Sequence, residues 1–279
     1  MKTKVSEITV KTALVRSGIP GVQFVFNPYL GCSHGCRYCY AGFMRKYSRH
    51  NRASPWGSFV EVKVNLPELL KAEVQRRRFP GRVLLASVCD PYQPVEARYR
   101  LTRRCLEILV EHGWQVEILT RSPLVVRDLE LLKEALGVRV GFSITTDNEG
   151  VRRTLEPQAP PLAARLAALR QLHDAGIYTW VFVAPILPMQ PERLVRAVAP
   201  LIHDLKVDPL NYREKIQEVF RQKGWEYFLS EEYATRTAAR LLGEWQSFGR
   251  EPAGGPKVPS PQKQHQESPW WSWDSEREP

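Results

Sequence analysis

Nowhere in its 279 residues does the chain hold an unbroken apolar run of about eighteen residues, so no transmembrane helix is expected. The opening residues, Met1-Lys2-Thr3-Lys4-Val5-Ser6-Glu7, lack the apolar stretch of a signal peptide, and the expected location is the cytoplasm. Cysteine is scarce, five in all. An odd count in a reducing compartment argues against disulfides and for metal or redox chemistry. No G-x-G-x-x-G follows the first expected strand, which disfavours a dinucleotide-binding fold. Acidic residues are outnumbered, 30 Asp+Glu against 40 Lys+Arg, for a net charge of +10. That excess suits a polyanionic partner such as nucleic acid, although no single basic stripe stands out and a merely soluble Arg-rich surface is the plainer alternative. With 43% hydrophobic residues, the length suffices for one large α/β domain or two small ones.

What is present centres on ten residues, Gly31-Cys32-Ser33-His34-Gly35-Cys36-Arg37-Tyr38-Cys39-Tyr40. Three cysteines at C-x3-C-x2-C can converge on one metal centre. A [4Fe–4S] cube needs four ligands, usually four Cys, and the next cysteine, Cys89, is fifty residues beyond Cys39. A bound cube would keep one iron open for chemistry, as a catalytic zinc keeps one position free. The alternative is a structural zinc site with His34 as fourth ligand.

Along the chain, residues 1–21 read as a polar N-terminal arm without pattern. Val22 to Phe26 is a β-prone run ended by Asn27-Pro28, so the Cys loop starts just after a strand's C-terminal end, where sites gather in α/β folds. Residues 41–57 are basic and irregular, with Arg45, Lys46, Arg49, His50 and Arg52. They suit a cover over a site, a contact to a phosphate backbone, or a solvated connector. Strands are then expected at 59–64, 83–88, 116–120, 138–144, 178–184 and weakly at 205–207. Helices are expected to Arg78 from Pro67, and over 101–112, 126–136, 161–175 and 192–204. Five or six β-then-α units in series imply a parallel sheet, as an open barrel or a doubly wound sheet. Two more helices, 212–223 and 231–245, close the domain. From Arg250 the chain turns Pro- and Gly-rich and reads as a disordered tail, with Trp270, Trp271 and Trp273 as a candidate docking motif.

The Cys motif and its flanks resemble the radical S-adenosylmethionine (radical SAM) superfamily, in the branch related to spore photoproduct lyase. The resemblance is carried by Asn27-Pro28-Tyr29-Leu30-Gly31-Cys32, Cys39-Tyr40-Ala41, Asp90-Pro91-Tyr92-Gln93-Pro94, Phe142-Ser143-Ile144-Thr145-Thr146, Leu155-Glu156-Pro157 and Ala184-Pro185-Ile186, and it spans residues 22–245. It implies a partial (β/α)6 barrel of parallel strands with C-terminal helices. It also implies a [4Fe–4S] cluster on Cys32, Cys36 and Cys39, with SAM on the fourth iron, cleaved to a 5′-deoxyadenosyl radical that takes a hydrogen atom from substrate. An electron donor such as flavodoxin or ferredoxin would be a partner. The substrate is open, with nucleic acid favoured by branch and charge. Fold does not fix function, and the rival is a non-catalytic, metal-stabilised nucleic-acid-binding protein.

By the same resemblance Tyr38 lies against the adenine, while Tyr40 suits either that or loop packing. Cys89 is a candidate hydrogen-atom donor, against a plain reading as a small buried apolar residue. Cys105 lies mid-helix and reads as core. Asp90 and Glu96 are candidates to orient the SAM amino group or substrate, or, for Asp90, to cap a loop. Arg121 suits the SAM carboxylate through its bidentate fork, and Ser143 the ribose. Thr145 and Thr146 suit the ribose or a loop cap. Glu156 resembles the family's Glu-Pro element and ties the loop down, with Arg165 as its structural partner. Ala184-Pro185 is where adenine packs.

Overall fold

The computed structural model describes residues 3–209 and 213–250. Ten strands and nine α-helices are found among them. In order they are β1 (Lys4–Ile8), β2 (Val15–Arg16), β3 (Phe24–Phe26), β4 (Tyr29–Leu30), β5 (Phe59–Lys63), α1 (Leu66–Gln75), β6 (Arg82–Leu85), α2 (Glu96–Tyr99), α3 (Leu101–Glu111) and β7 (Gln115–Thr120). There follow α4 (Leu129–Glu134), β8 (Arg139–Ser143), α5 (Glu149–Leu155), α6 (Leu162–Asp174), β9 (Tyr178–Val183), α7 (Pro191–Val198), β10 (Asp204–Val207), α8 (Gln217–Lys223) and α9 (Glu231–Ser247).

The main sheet has the order β10-β9-β8-β7-β6-β3-β2, and all pairs from β3 to β10 are parallel. Six parallel strands with helical crossovers make the expected partial (β/α)6 barrel. Alternation along the strands sorts their side chains. Val83, Leu85, Val116, Ile118, Val140, Phe142, Val181 and Val183 are buried in one large core shared with the helices. The alternate set, including Leu84, Glu117, Leu119, Gly141, Ser143, Trp180 and Phe182, faces the other side of the curved sheet. There Trp180 lies flat against Gly141, where a Cβ would come 2.2 Å from the indole Cε2. Lys206 Nζ stands 4.3 Å from the Trp180 ring centroid and 3.5 Å from Glu117 Oε1.

Several local expectations change. The N-terminal arm carries β1, parallel to β5, and β2, antiparallel to β3. Neither has a strong apolar face, so periodicity did not reveal them. The strand at 59–63 forms, but outside the barrel: it is the centre of a three-stranded sheet, β1-β5-β4. The helix expected over 126–136 is split, because Pro123 and a Ser122 cap on Leu124 N (3.3 Å) open a 3-10 helix, Pro123–Asp128, before α4 begins. Likewise 192–204 is α7, a 3-10 turn at Ala199–Leu201, and then β10 from Asp204. Helix α5 has no counterpart among the expected elements; its start is set by Asn148, whose Oδ1 accepts from Gly150 N (2.8 Å) and Val151 N (3.3 Å). The expected helix 212–223 becomes a 3-10 turn, Arg213–Lys215, and α8, with Tyr212 outside the described residues. The tail beyond Arg250, with Trp270, Trp271 and Trp273, also lies outside them. Among the described residues no helix is long and apolar enough to cross a membrane.

The Gly141–Trp180 contact makes a test of the barrel's packing. Gly141→Ala inserts a methyl group where the indole lies and should cost about 1–3 kcal/mol. A thermal midpoint lowered by several degrees is the expected result; an unchanged midpoint would show that the indole moves aside freely.

Candidate active site

The Cys loop leaves the barrel at the C-terminal end of β3 and is shaped first by glycine. Gly31 sits at φ +91°, and a Cβ there would lie 2.4 Å from the Phe59 carbonyl oxygen. Only glycine lets the loop cross β5 so closely. Gln93 then clamps the loop from the β6–α2 connection, accepting from Ser33 N at 2.9 Å and donating to the Gly31 carbonyl at 3.2 Å. From the other side Arg37 N donates to the Leu155 carbonyl at 2.9 Å, and Gln158 N to the His34 carbonyl at 3.3 Å. Lys215 Nζ donates to the Cys39 carbonyl at 2.8 Å, and the Tyr40 hydroxyl to the Ser87 carbonyl. Gln93, Gln158 and Lys215 carried no sequence signal of a loop clamp beyond Gln93's place in the Asp-Pro-Tyr-Gln-Pro run.

Two buried carboxylates fix the loop's interior. Asp90 accepts from Thr120 Oγ1 (2.7 Å), Arg121 N (2.7 Å) and Tyr92 N (2.9 Å). His34 Nε2 stands 3.2 Å from Asp90 Oδ2, off the line of a hydrogen bond, so the contact is electrostatic. Burial alone would raise the Asp90 pKa, but His34, Thr120 and Arg121 N outweigh it and hold the carboxyl at about 2. Glu156 collects more. It accepts from Tyr38 and Arg165, from Thr145 Oγ1 at 2.9 Å, and from Arg121 Nε at 3.3 Å. Arg165 also donates to the carbonyls of Ser143 (3.0 Å) and Pro160 (3.0 Å), and Arg121 to the Tyr38 hydroxyl at 3.1 Å. Burial opposes ionisation here too, yet Arg165 and then Arg121 hold Glu156 at about 2.

Six of the residues singled out from sequence, Tyr38, Arg121, Ser143, Thr145, Glu156 and Arg165, thus meet in one network beside the cysteines. Arg121 keeps 19% of its side chain exposed. Thr146 turns away and donates to the Pro188 carbonyl at 2.6 Å. Glu96 lies deeper, bonded to the Tyr29 hydroxyl (2.5 Å), Arg127 (2.7 Å) and Thr102 N (2.8 Å). Cys105 is fully buried in the core. Cys89 is half-buried at the strand end after β6, its Sγ 4.0 Å from Asn27 Oδ1. Burial pushes its thiol up to about 12, against the pull of Lys63.

Whether the loop fits a cluster can be read from its donors. Cys32 and Cys36 are buried and Cys39 is half-buried. Burial raises all three thiols, to about 12 for Cys36, and each of the three feels another's charge or that of Arg121. Thiols held this way ionise when a metal takes their protons' place. Among the described residues no group of three or more His, Cys, Asp or Glu side chains, Cys32, Cys36 and Cys39 included, is already drawn together as a metal site. Three thiols with no fourth cysteine in the loop are, by their chemistry, the donor set for a cube that keeps one iron open.

The radical SAM superfamily model matches residues 26–199, and the chain belongs to that superfamily. It is 36% identical over 187 residues to an uncharacterized protein of Methanocaldococcus jannaschii, covering 67% of this chain and 69% of that one. It is 29% identical over 165 residues to a radical SAM Nalpha-GlyT isomerase of Pseudomonas phage M6, covering 58% of this chain and 33% of the isomerase. Among solved structures it resembles a spore photoproduct lyase variant with bound AdoMet and dinucleoside spore photoproduct. The TM-score is 0.60 at 18% identity, over 88% of this chain and 78% of the other. That likeness establishes the shared fold.

The Glu156 network makes an acid-stability prediction. A folded pKa of about 2 against an ordinary 4.5 adds stability that is complete above about pH 4.5 and lost as pH falls towards 2. Glu156→Gln strands the buried Arg165 guanidinium and should cost about 3–5 kcal/mol at neutral pH. The same variant should flatten the acid limb of a denaturant-midpoint series between about pH 5 and 2. A mutant limb as steep as the wild type's would assign that limb to other carboxylates.

Proposed function

We propose that this radical SAM enzyme holds one [4Fe–4S] cluster on Cys32, Cys36 and Cys39 and acts on substrate by hydrogen-atom abstraction. The observation that carries the reading is the set of three clamped cysteines, without a fourth, at the C-terminal end of a parallel barrel. When bound, the cluster and SAM supply one-electron cleavage of SAM and a 5′-deoxyadenosyl radical for hydrogen abstraction. The chain's own residues have distinct tasks. Glu156 and Arg165 hold Tyr38 and Arg121 in place. Arg121, still partly open, is available to a SAM carboxylate through its outer edge. Ser143 and Thr145 line the strand end where a ribose would sit, although Thr145's hydroxyl is already given to Glu156. Asp90's oxygens are likewise engaged, which favours a loop-fixing role over contact with the SAM amino group.

Cys89 suits the hydrogen-atom donor. A thiol held at about 12 stays S–H at neutral pH, the form that can give up a hydrogen atom. Nucleic acid is the favoured substrate class, from net charge and from the solved neighbour's bound dinucleoside. The related proteins carry different reaction names, lyase and isomerase, so the bond attacked is left to experiment.

Anaerobic reconstitution should give a brown protein with about four irons, and dithionite in place of a flavodoxin or ferredoxin should release 5′-deoxyadenosine from SAM. Cys32→Ala, Cys36→Ala or Cys39→Ala should each lose the iron absorbance. A colourless, zinc-loaded protein that leaves SAM intact would sink the reading and favour the metal-stabilised binding protein. Cys89→Ala should keep SAM cleavage but change the product distribution; an unchanged distribution removes Cys89 from the chemistry.

A further inference from the structure

The stretch directly after Cys39 is a basic surface. Between Glu7 and Glu61 the sequence holds no carboxylate, but it holds seven Lys and Arg residues. Several surface arginines elsewhere are paired with carboxylates, Arg104 with Glu68, Arg196 with Glu244, Arg221 with Glu218 and Arg240 with Glu192, although the exposed Arg76, Arg77 and Arg78 have no such partner among the described residues. Arg45, Lys46 and Arg49 are exposed and have no carboxylate partner among the described residues. This is more than a solvated face, because its neighbours are aromatic. Phe43 and Tyr47 are 47% and 49% exposed, and Lys46 Nζ stands between them, 5.8 Å from one ring centroid and 4.9 Å from the other.

The surface is also built rigidly. The 3-10 helix Tyr40–Tyr47 starts at Cys39 and ends at Ser48. There the fully buried Glu61 of β5 accepts from the Ser48 hydroxyl (2.5 Å), His50 N (3.0 Å), Asn51 Nδ2 (3.2 Å) and Arg49 N (3.4 Å). Arg52 Nε donates to the Ser48 carbonyl at 3.2 Å. An otherwise costly buried carboxylate is thereby spent on fixing a loop whose outward side chains have no role in the core. Two residues along the same face of β5 stands Lys63, beside Cys89, also without a carboxylate partner among the described residues.

We infer that Phe43, Arg45, Lys46, Tyr47 and Arg49 form a docking shelf for single-stranded nucleic acid, leading its backbone towards Cys89 past Lys63. Exposed rings set among unpaired cations are the arrangement that stacks unpaired bases while holding phosphates. A duplex keeps its base faces covered and would use only the cations. The inference rests on nucleic acid as the substrate class proposed above, and it locates the surface that receives it.

The test is fluorescence anisotropy of a labelled single-stranded DNA of mixed sequence, about 20 nucleotides long, on the anaerobically reconstituted full chain at several salt concentrations. Replacing Arg45, Lys46 and Arg49 together by Glu should weaken binding by at least ~10-fold and reduce the log–log salt slope by about two. Phe43→Ala with Tyr47→Ala should weaken it by about tenfold and leave the slope unchanged. These side chains are exposed, and thermal midpoints verify that both variants fold; should the charge variant not fold, the aromatic pair decides. Wild-type affinity in the folded variants overturns the inference. So does equal competition by duplex of the same length, or by poly-glutamate at matched charge, which would indicate a general polyanion or acidic-protein surface. A protein that loads iron and cleaves SAM but ignores the oligonucleotide overturns this inference alone. One that binds the oligonucleotide but takes no iron overturns the proposed chemistry alone.

Discussion

The site depends on one buried carboxylate. Glu156 lies 118 residues from Tyr38 in sequence, and between them the chain makes most of its barrel. A carboxylate with no solvent exposure is tolerable only when its lone pairs are filled and its charge balanced. Here two guanidinium groups balance it, and two hydroxyls complete its bonds. Each partner comes from a different place: Tyr38 from the Cys loop, Arg121 from the end of β7, Thr145 from the end of β8, Arg165 from α6. The interaction therefore joins the loop to successive strand ends and to the helix behind them. Its net contribution to stability is modest in principle, but its geometry specifies where the loop sits.

Asp90 repeats the device on the other flank. It fixes its own loop through Tyr92 N, takes Thr120 and Arg121 N from the end of β7, and faces His34 inside the Cys loop. Arg121 is shared between both devices, with its backbone on Asp90 and its side chain on Glu156. A shift of the β7 end would disturb both at once. The cysteines are consequently held by a frame of the chain's own hydrogen bonds and ion pairs, the kind of preorganisation that a site of fixed geometry needs.

Local pattern made much of this legible. Five strands of the main sheet follow apolar runs, several after glycine stops at Gly113, Gly137 and Gly176, while β10 (Asp204–Val207) gave only a weak signal, and the cysteine spacing marked the loop without further help. The flanking motifs also marked Tyr38, Arg121, Ser143, Thr145 and Glu156, and placed Arg165 as Glu156's partner. What escaped was pairing at a distance. The period-two pattern of 59–64 announces a strand but says nothing about its neighbours, and it joined β1 and β4 instead of the barrel. β1 is an edge strand with little apolar surface, visible only once β5 offers it hydrogen bonds. Gln93 and Glu61 look like ordinary surface residues until the backbone groups they serve are brought to them.

The removal of β5 from the barrel has a consequence for the site. β3 pairs directly with β6, and the chain between them, residues 27–81, carries the Cys loop, β4, β5 and the crossover helix α1. In that excursion β5 uses its two faces differently. Val60 and Val62 enter the main core. On the other face Phe59 lies under Gly31, Glu61 anchors the basic loop, and Lys63 reaches Cys89. A single strand displaced from the barrel thus bears on the cysteine loop through Phe59, on the basic loop through Glu61, and on the proposed hydrogen donor through Lys63.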